Sequence, residues 1–440
     1  MSPWNIEIKR RLQNFAAGTL AAFGIAALSA PWTFHQASSQ SGLTDSGGSA
    51  AIPTVDARAR IESRSYPSVF EAWNPAQRIN LGAETPPQAT VNNEQQLTME
   101  AKHDLVFEPF RRFGLIPKQQ YNGLATEFTD ASVGRALDLR RRLLMLNHNL
   151  ILLSEVRYYN APINYLPADS SWWKRGPDGQ PLQDQTRNQF FLLDYENPEV
   201  QAAIAAQCRA LVLTGVVDGC LFDHWTDDAG RIALIQKVRD AAGDNAILMG
   251  NTNGRRPEGS ALYLNGMYME GFGARFFADW RTAAENLLWA QSHLRAPVIT
   301  ALEGWYPLNS FHDGGEISKI QSEGRNDFAL MREVTTLSLT HSNGYVLYAD
   351  PNPLPTPDHL HDWYPFWDKA LGHPIDPPGT PGPSGSYRRN FEHGMAIFNP
   401  PSNRPIHITF PNERISRATG KRGFDYDVNA GDGDIFLLAR

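Results

Sequence analysis

Cysteine is nearly missing from this chain, whose 440 residues include only Cys208 and Cys220. Two thiols cannot build the disulfide framework of a small secreted domain, and no Cys/His cluster offers zinc spacing. An excess of basic residues is missing too. Lys and Arg number 40 against 47 Asp and Glu, a formal charge of -7, and the acids are scattered rather than blocked. That leaves no cationic stripe for DNA or RNA. No glycine-rich turn follows the first strand-like run, so a dinucleotide fold would lack its phosphate loop. Beyond the N-terminal segment no apolar run is long enough to span a bilayer. Nothing here calls for a cofactor.

The N-terminus carries targeting chemistry. Lys9, Arg10 and Arg11 precede a short alanine-rich apolar stretch, Phe15 to Leu28, which has the form of a signal-peptide core. Cleavage after Ser29 would release the chain, whereas Pro31 disfavours cleavage after Ala30 and leaves an uncleaved anchor as the alternative. Residues 1–30 are therefore expected to be a signal peptide or membrane anchor, and the body to be secreted or periplasmic. Residues 31–65 read as a Ser/Gly-rich linker. Cys208 and Cys220 could pair in such a compartment, but a helix-to-strand bridge needs closely matched Cβ geometry, so a buried thiol pair is the expectation.

From Tyr66 onward short apolar runs alternate with helical patterns. Strands are expected at 68–72, 104–107, 150–154, 219–222, 246–250, 266–269, 298–302 and 345–348. Helices are expected from Asn197 to Gly215, through AGRIALIQKVRDAAG to Gly243, and over DWRTAAENLLWAQSHL. Alternation of this kind implies parallel βαβ units with right-handed crossovers. Eight such strands predict an α/β fold, a (β/α)8 TIM barrel over 66–372. After the Pro/Gly-dense stretch GHPIDPPGTPGPSGSY, the runs GMAIFNP, PIHITFP, RISRAT and DIFLLAR predict a small C-terminal antiparallel β domain, a β-sandwich, over 386–440.

Several strand-like runs end in acids or tryptophans. VVDGCLFDHW ends in Asp223, His224 and Trp225, GMYMEGF carries Glu270, and VITALEGW carries Glu303 and Trp305. In a barrel such ends share one mouth, so Asp223 after the fourth strand and Glu270 on the sixth become neighbours. Paired carboxylates at the right separation are what glycoside cleavage requires. Asp223 is a candidate nucleophile or base and Glu270 a candidate proton donor raised by Met267, Met269 and Phe272; the reverse assignment stays open, and Glu303 is the third catalytic candidate. The competing structural readings are loop capping by Asp223 and an ion pair of Glu270 with Arg275. Eleven tryptophans exceed what a core of this size needs, and aromatic faces are sugar platforms. Trp73, Trp225 and Trp305 are thus candidate subsite floors, with Glu71, Glu155, His224, Asn251, Asn253, Arg255 and Asp350 as further substrate contacts. Asn251 and Asn253 suit neutral or amino sugars, while Arg255 and Arg256 suit an acidic glycan. The loop SSWWKRGPDGQPL is a candidate lid over the mouth or a structural flap. DHWTDD lacks the alternation and glycine turn of a calcium loop, so no metal is expected.

On Asp223, Glu270 and the terminal phrase DVNAGDGDIFLLAR, the chain resembles glycosyl-hydrolase-like families recognised in bacterial genomes, over about residues 66 to 440. That resemblance implies a (β/α)8 catalytic barrel with a C-terminal β-sandwich and hydrolysis of an extracellular poly- or oligosaccharide. It also implies, by likeness to the α-galactosidase-like group, a nucleophile at Asp223 and an acid/base at Glu270. The rival expectations are a catalytically silent glycan-binding barrel of the cell envelope or exopolysaccharide machinery, and an envelope scaffold serving protein contacts.

Overall fold

The computed structural model describes residues 56–73, 93–187, 189–273, 279–306, 316–351 and 359–439. The signal segment and most of the expected linker lie outside the described residues, as does Arg275. Among the described residues no helix is long and apolar enough to cross a membrane.

Eight parallel strands follow one another around a single sheet in chain order. They are β1 (Phe70–Ala72), β2 (Leu105–Pro109), β3 (Ile151–Glu155), β4 (Gly219–Phe222), β5 (Ile247–Asn251), β6 (Gly266–Phe272), β7 (Ile299–Trp305) and β8 (Tyr345–Ala349). A parallel bridge between Val69 and Val346 brings the last strand back to the first, which makes the sheet a (β/α)8 barrel. Every residue of β3 to β8 is buried. That burial on both faces explains why these strands read as unbroken apolar runs in the sequence.

Helices cover the outside: α1 (Ala57–Glu62), α2 (Asn93–Glu100), α3 (Asp130–Leu146), α4 (Pro198–Leu213), α5 (Ala229–Ala242), α6 (Trp280–His293), α7 (Ile317–Arg325) and α8 (Phe328–His341). Local chemistry sets their ends. Asn197 caps α4 by accepting from the Glu199 amide, with Pro198 opening the first turn. Asp228 caps α5 through the Arg231 amide, and Gly243, at φ 84°, ends it. Helix α1 corrects the linker expectation, because residues 57–62 belong to the folded body. Arg60 on α1 and Arg140 on α3 both bind Asp218, immediately before β4, and Asp218 also accepts from the Leu152 amide. Burial pushes the Asp218 carboxyl up, but the two guanidiniums more than offset this and hold it below its ordinary range.

The two cysteines form a disulfide, Cys208 on α4 to Cys220 on β4, with Cα atoms 6.1 Å apart. This corrects the expectation of free thiols: the helix lies flat enough on the strand for the side chains to meet.

Between β3 and α4 the chain makes an arm. A two-stranded ribbon, Asn160–Pro162 with Phe190–Leu192, has its own small core of Ala161, Leu166, Trp173 and Leu193. The C-terminal segment forms a five-stranded antiparallel sheet of β9 (Tyr387–Phe391), β10 (Gly394–Asn399), β11 (Ile406–Ser416), β12 (Arg422–Val428) and β13 (Asp432–Leu438), in the order β9-β10-β13-β11-β12. Ala396, Phe398 and Ile435 join the main core, while Ile397, Phe410, Tyr426 and Phe436 gather in a second one on the opposite face. Arg332 on α8 grips Asp432 with two hydrogen bonds of 2.8 and 2.7 Å.

Candidate active site

The site forms where β4, β5, β6 and β7 end. Inside the barrel Phe70, Phe107 and Tyr268 pack ring to ring, with centroids 5.3 to 5.8 Å apart, and close the interior beneath the mouth. Alternation along each strand then sets what faces the cavity. Tyr268 and Glu270 share one face of β6, and Glu303 meets the Tyr268 hydroxyl from the neighbouring β7.

Asn251, the last residue of β5, is the centre of the arrangement. Its Nδ2 donates to Oδ1 of Asp223 at 2.8 Å and to Oε2 of Glu270 at 2.7 Å. Sharing one nitrogen at these distances keeps the two acceptor oxygens no more than 5.5 Å apart. Asn251 is 1% exposed and Glu270 5%, so both are fixed by packing.

The two carboxyls differ in electrostatic surroundings. Burial pushes Asp223 up, but the His224 imidazole, the Arg187 guanidinium, the Asn251 amide and the His224 backbone N–H together outweigh it. The carboxyl is left below its ordinary range. His224 approaches closely, with Nε2 3.3 Å from Oδ2 and its amide donating to Oδ1 at 2.9 Å. Glu270 is pushed the other way, up to about 7: burial dominates, the charges of Glu303 and Asp223 add to it, and His359 and Asn251 only partly compensate.

His359, beyond the end of β8, gives no signal in the sequence and completes the cluster. Its Nδ1 lies 2.8 Å from Oε1 of Glu303 and its Nε2 3.9 Å from Oε1 of Glu270. Trp73, just after β1, faces the imidazole with ring centroids 5.1 Å apart. Glu270, Glu303 and His359 each present one ligating atom within 4.8 Å of the others, the one group among the described residues able to hold a metal ion.

Most of the remaining candidates have other partners. Trp225 is 1% exposed and lies against Gly250, where an added Cβ would meet its ring at 2.9 Å; Trp305 is 0% exposed. Both fill the barrel wall and cannot floor a subsite. Glu71 alternates with the inward Phe70, so it turns outward to His103, 3.4 Å away, and stays wholly buried there. Asp350 is buried too, accepting from Gln321 of α7. Glu155 is paired with Arg157 at 3.3 Å. Asn253 is half-buried at φ 48°, its amide donating to Asn251 Oδ1 at 3.3 Å, and Arg255 is exposed. The other acids of DHWTDD serve the fold, Asp227 accepting from Ser260 at 2.6 Å and Asp228 capping α5. The candidate-lid loop is partly built into the arm, where Trp173 is buried and donates to the Pro167 carbonyl.

No family model matches this sequence, and no curated protein is similar to it. Among solved structures, the alpha-amylase from Geobacillus thermoleovorans complexed with acarbose is 10% identical, with a TM-score of 0.48 over 86% of this chain and 99% of that one. An alpha-amylase from Malbranchea cinnamomea is 12% identical, with a TM-score of 0.48 over 87% and 97%. The noncanonic maltogenic alpha-amylase AmyB from Thermotoga neapolitana is 12% identical, with a TM-score of 0.47 over 84% and 99%. Superpositions this loose, at identities this low, carry neither a residue's role nor a substrate from those enzymes to this chain.

Proposed function

We propose that this chain is a glycoside hydrolase in which Asp223 is the nucleophile and Glu270 the acid/base. One observation carries the reading: two carboxyls held by a single amide have environments that push their proton affinities apart. Near neutral pH Asp223 is ionised, whereas Glu270, at about 7, still carries its proton in about half of the molecules. In the first step Asp223 attacks the anomeric carbon while Glu270 gives its proton to the departing glycosidic oxygen. In the second, Glu270 takes a proton from water, which displaces Asp223 and releases the sugar. Acceptor oxygens no more than 5.5 Å apart favour this retaining course over the inverting one, which needs about 6.5–9.5 Å between the carboxyls. Glu303 and His359 border Glu270 and hold its surroundings polar and rigid. The N-terminal sequence supports delivery across the cytoplasmic membrane, so the substrate is an extracellular poly- or oligosaccharide.

A second reading, metal-assisted hydrolysis, is favoured by the Glu270, Glu303 and His359 cluster. These residues would hold the ion, which would supply an activated water and polarise the scissile group. The fit is partial, because the His359 Nδ1 already faces Glu303 at 2.8 Å.

Reducing-end release from a panel of glycans tests both. The parent is expected to cleave at least one glycan, to do so unchanged in EDTA, and to lose at least about a thousandfold in kcat in Asp223→Asn or Glu270→Gln. Loss of turnover in EDTA, restored by a divalent ion, favours the metal reading. Binding to a glycan with no turnover in any condition favours a silent glycan-binding barrel.

A further inference from the structure

The arm between β3 and α4 brings a charge to the mouth that the hydrolase reading does not require. Asp184, at the base of the ribbon, accepts from the Thr186 amide at 2.8 Å and from its hydroxyl at 2.7 Å, a turn that sets the course of the next residue, Arg187. The Arg187 guanidinium rests on the Phe190 ring, 5.7 Å from its centroid, and the Arg157 guanidinium lies on the same ring at 5.2 Å. Two cations therefore share one aromatic at the rim beside β3 and β4. Their partners differ. Arg157 is paired with Glu155 at 3.3 Å, whereas Arg187 has no carboxylate within ion-pair distance among the described residues, although its charge reaches Asp223. Arg255, exposed after β5 on the same end of the barrel, likewise has no ion-pair partner among the described residues.

A guanidinium half-buried against a ring keeps its planar fork of donors available and has already lost part of its hydration, the state in which it binds a carboxylate, sulfate or phosphate in bidentate fashion. A neutral sugar would offer that fork no anion to match its charge. Resting on the reading of this mouth as a glycan cleft, we propose that Arg187 is an anion-reading subsite residue, and that the substrate is an acidic glycan with its charged substituent on a sugar bound at the arm side of Asp223.

Arg187 could instead serve only to keep Asp223 ionised, so the test must separate the two roles. Affinity electrophoresis of the full chain through gels containing polygalacturonate, alginate or hyaluronate, and through the same polymers with their carboxyls reduced to alcohols, needs no turnover. Dextran sulfate beside dextran distinguishes sulfate from carboxylate recognition. The expected result is retardation at least tenfold stronger by one acidic polymer than by its neutral form. Arg187→Gln should lose at least fivefold on the acidic form alone, Arg187→Lys less. Arg404→Gln, which removes the same charge from the C-terminal segment, should leave retardation unchanged. Equal losses by Arg187→Gln on both forms, or a parent that no acidic polymer retards more than its neutral form, overturn the proposal. The outcomes separate from those of the hydrolase reading. A chain retarded by an acidic polymer but cleaving nothing keeps this inference and loses that reading; one that binds and cleaves neutral glycans alone does the reverse.

Discussion

The imidazole of His359 lies between two acids, with Nδ1 2.8 Å from Glu303 and Nε2 3.9 Å from Glu270. Glu303 accepts from the Tyr268 hydroxyl as well, so the ring is held on its Nδ1 side while its Nε2 side addresses Glu270. A positive charge there favours the ionised form of Glu270 and is one of the two influences that bring its value down to about 7.

Removing that charge must let Glu270 hold its proton to higher pH. In His359→Gln, the alkaline limb of the kcat/KM profile is therefore expected to move upward from about 7, while the acid limb, set by Asp223, stays in place. A limb that moved downward would mean that His359 does not act on Glu270 as a cation.

Asn251 donates to both carboxyls. In Asn251→Ala both lose a donor that favours their ionised forms, so both proton affinities rise, and the nucleophile is left unoriented. Hydrogen bonds to charged groups contribute about 1.5–3 kcal/mol, so kcat should fall roughly ten- to a hundredfold. Both pH limbs should shift upward. Circular dichroism and melting checked alongside would show whether the barrel remains intact.

The eight strands were legible because parallel strands buried on both faces are short, unbroken apolar runs, and Asp223 and Glu270 stand at the ends of two of them. Which way an acid faces was less legible. Glu71 and Glu270 look alike in sequence, yet Phe70 fills the barrel interior and sends Glu71 outward, while Tyr268 does the same and brings Glu270 in. Strand parity is decided by packing that a single sequence does not display. His359 was missed because nine residues separate it from the end of β8 at Ala349 and its neighbourhood reads as a proline-rich loop. Helix α8 was missed for a different reason. Its TTLSLTH stretch has poor helix propensity, but Thr335, Thr336 and Thr340 return their hydroxyls to carbonyls four residues back, at 2.6 to 2.8 Å, and so bury without loss of partners.

The Cys208–Cys220 bridge closes a loop with a sequence separation of 12 residues. Loop-closure entropy for a span of that length corresponds to about 3 kcal/mol. Cys208→Ser with Cys220→Ser should lower the urea midpoint accordingly and should remove the sensitivity of the parent's melting to reductant. Unchanged stability in the double variant would mean that the bridge restrains nothing the packing of α4 on β4 does not already restrain.

Glu71 provides the converse test, of a residue costly to the fold and remote from the reaction. Both its oxygens are buried without a hydrogen-bond partner among the described residues. Burial, then the charges of Glu100 and Glu108, push its carboxyl well above the ordinary 4.5. The folded chain therefore keeps a proton there that the unfolded chain gives up from about pH 4.5 upward. In that window the native state binds more protons than the unfolded one, so stability falls as pH rises. Glu71→Gln removes the titrating group without changing the shape. Its melting temperature should match the parent's near pH 4, exceed it at pH 8, and vary less with pH between them. Glycan turnover should be unaltered, because the side chain lies on the outer face of β1, away from Asp223 and Glu270. A variant that melted alike but lost turnover would return Glu71 to the substrate side of the barrel.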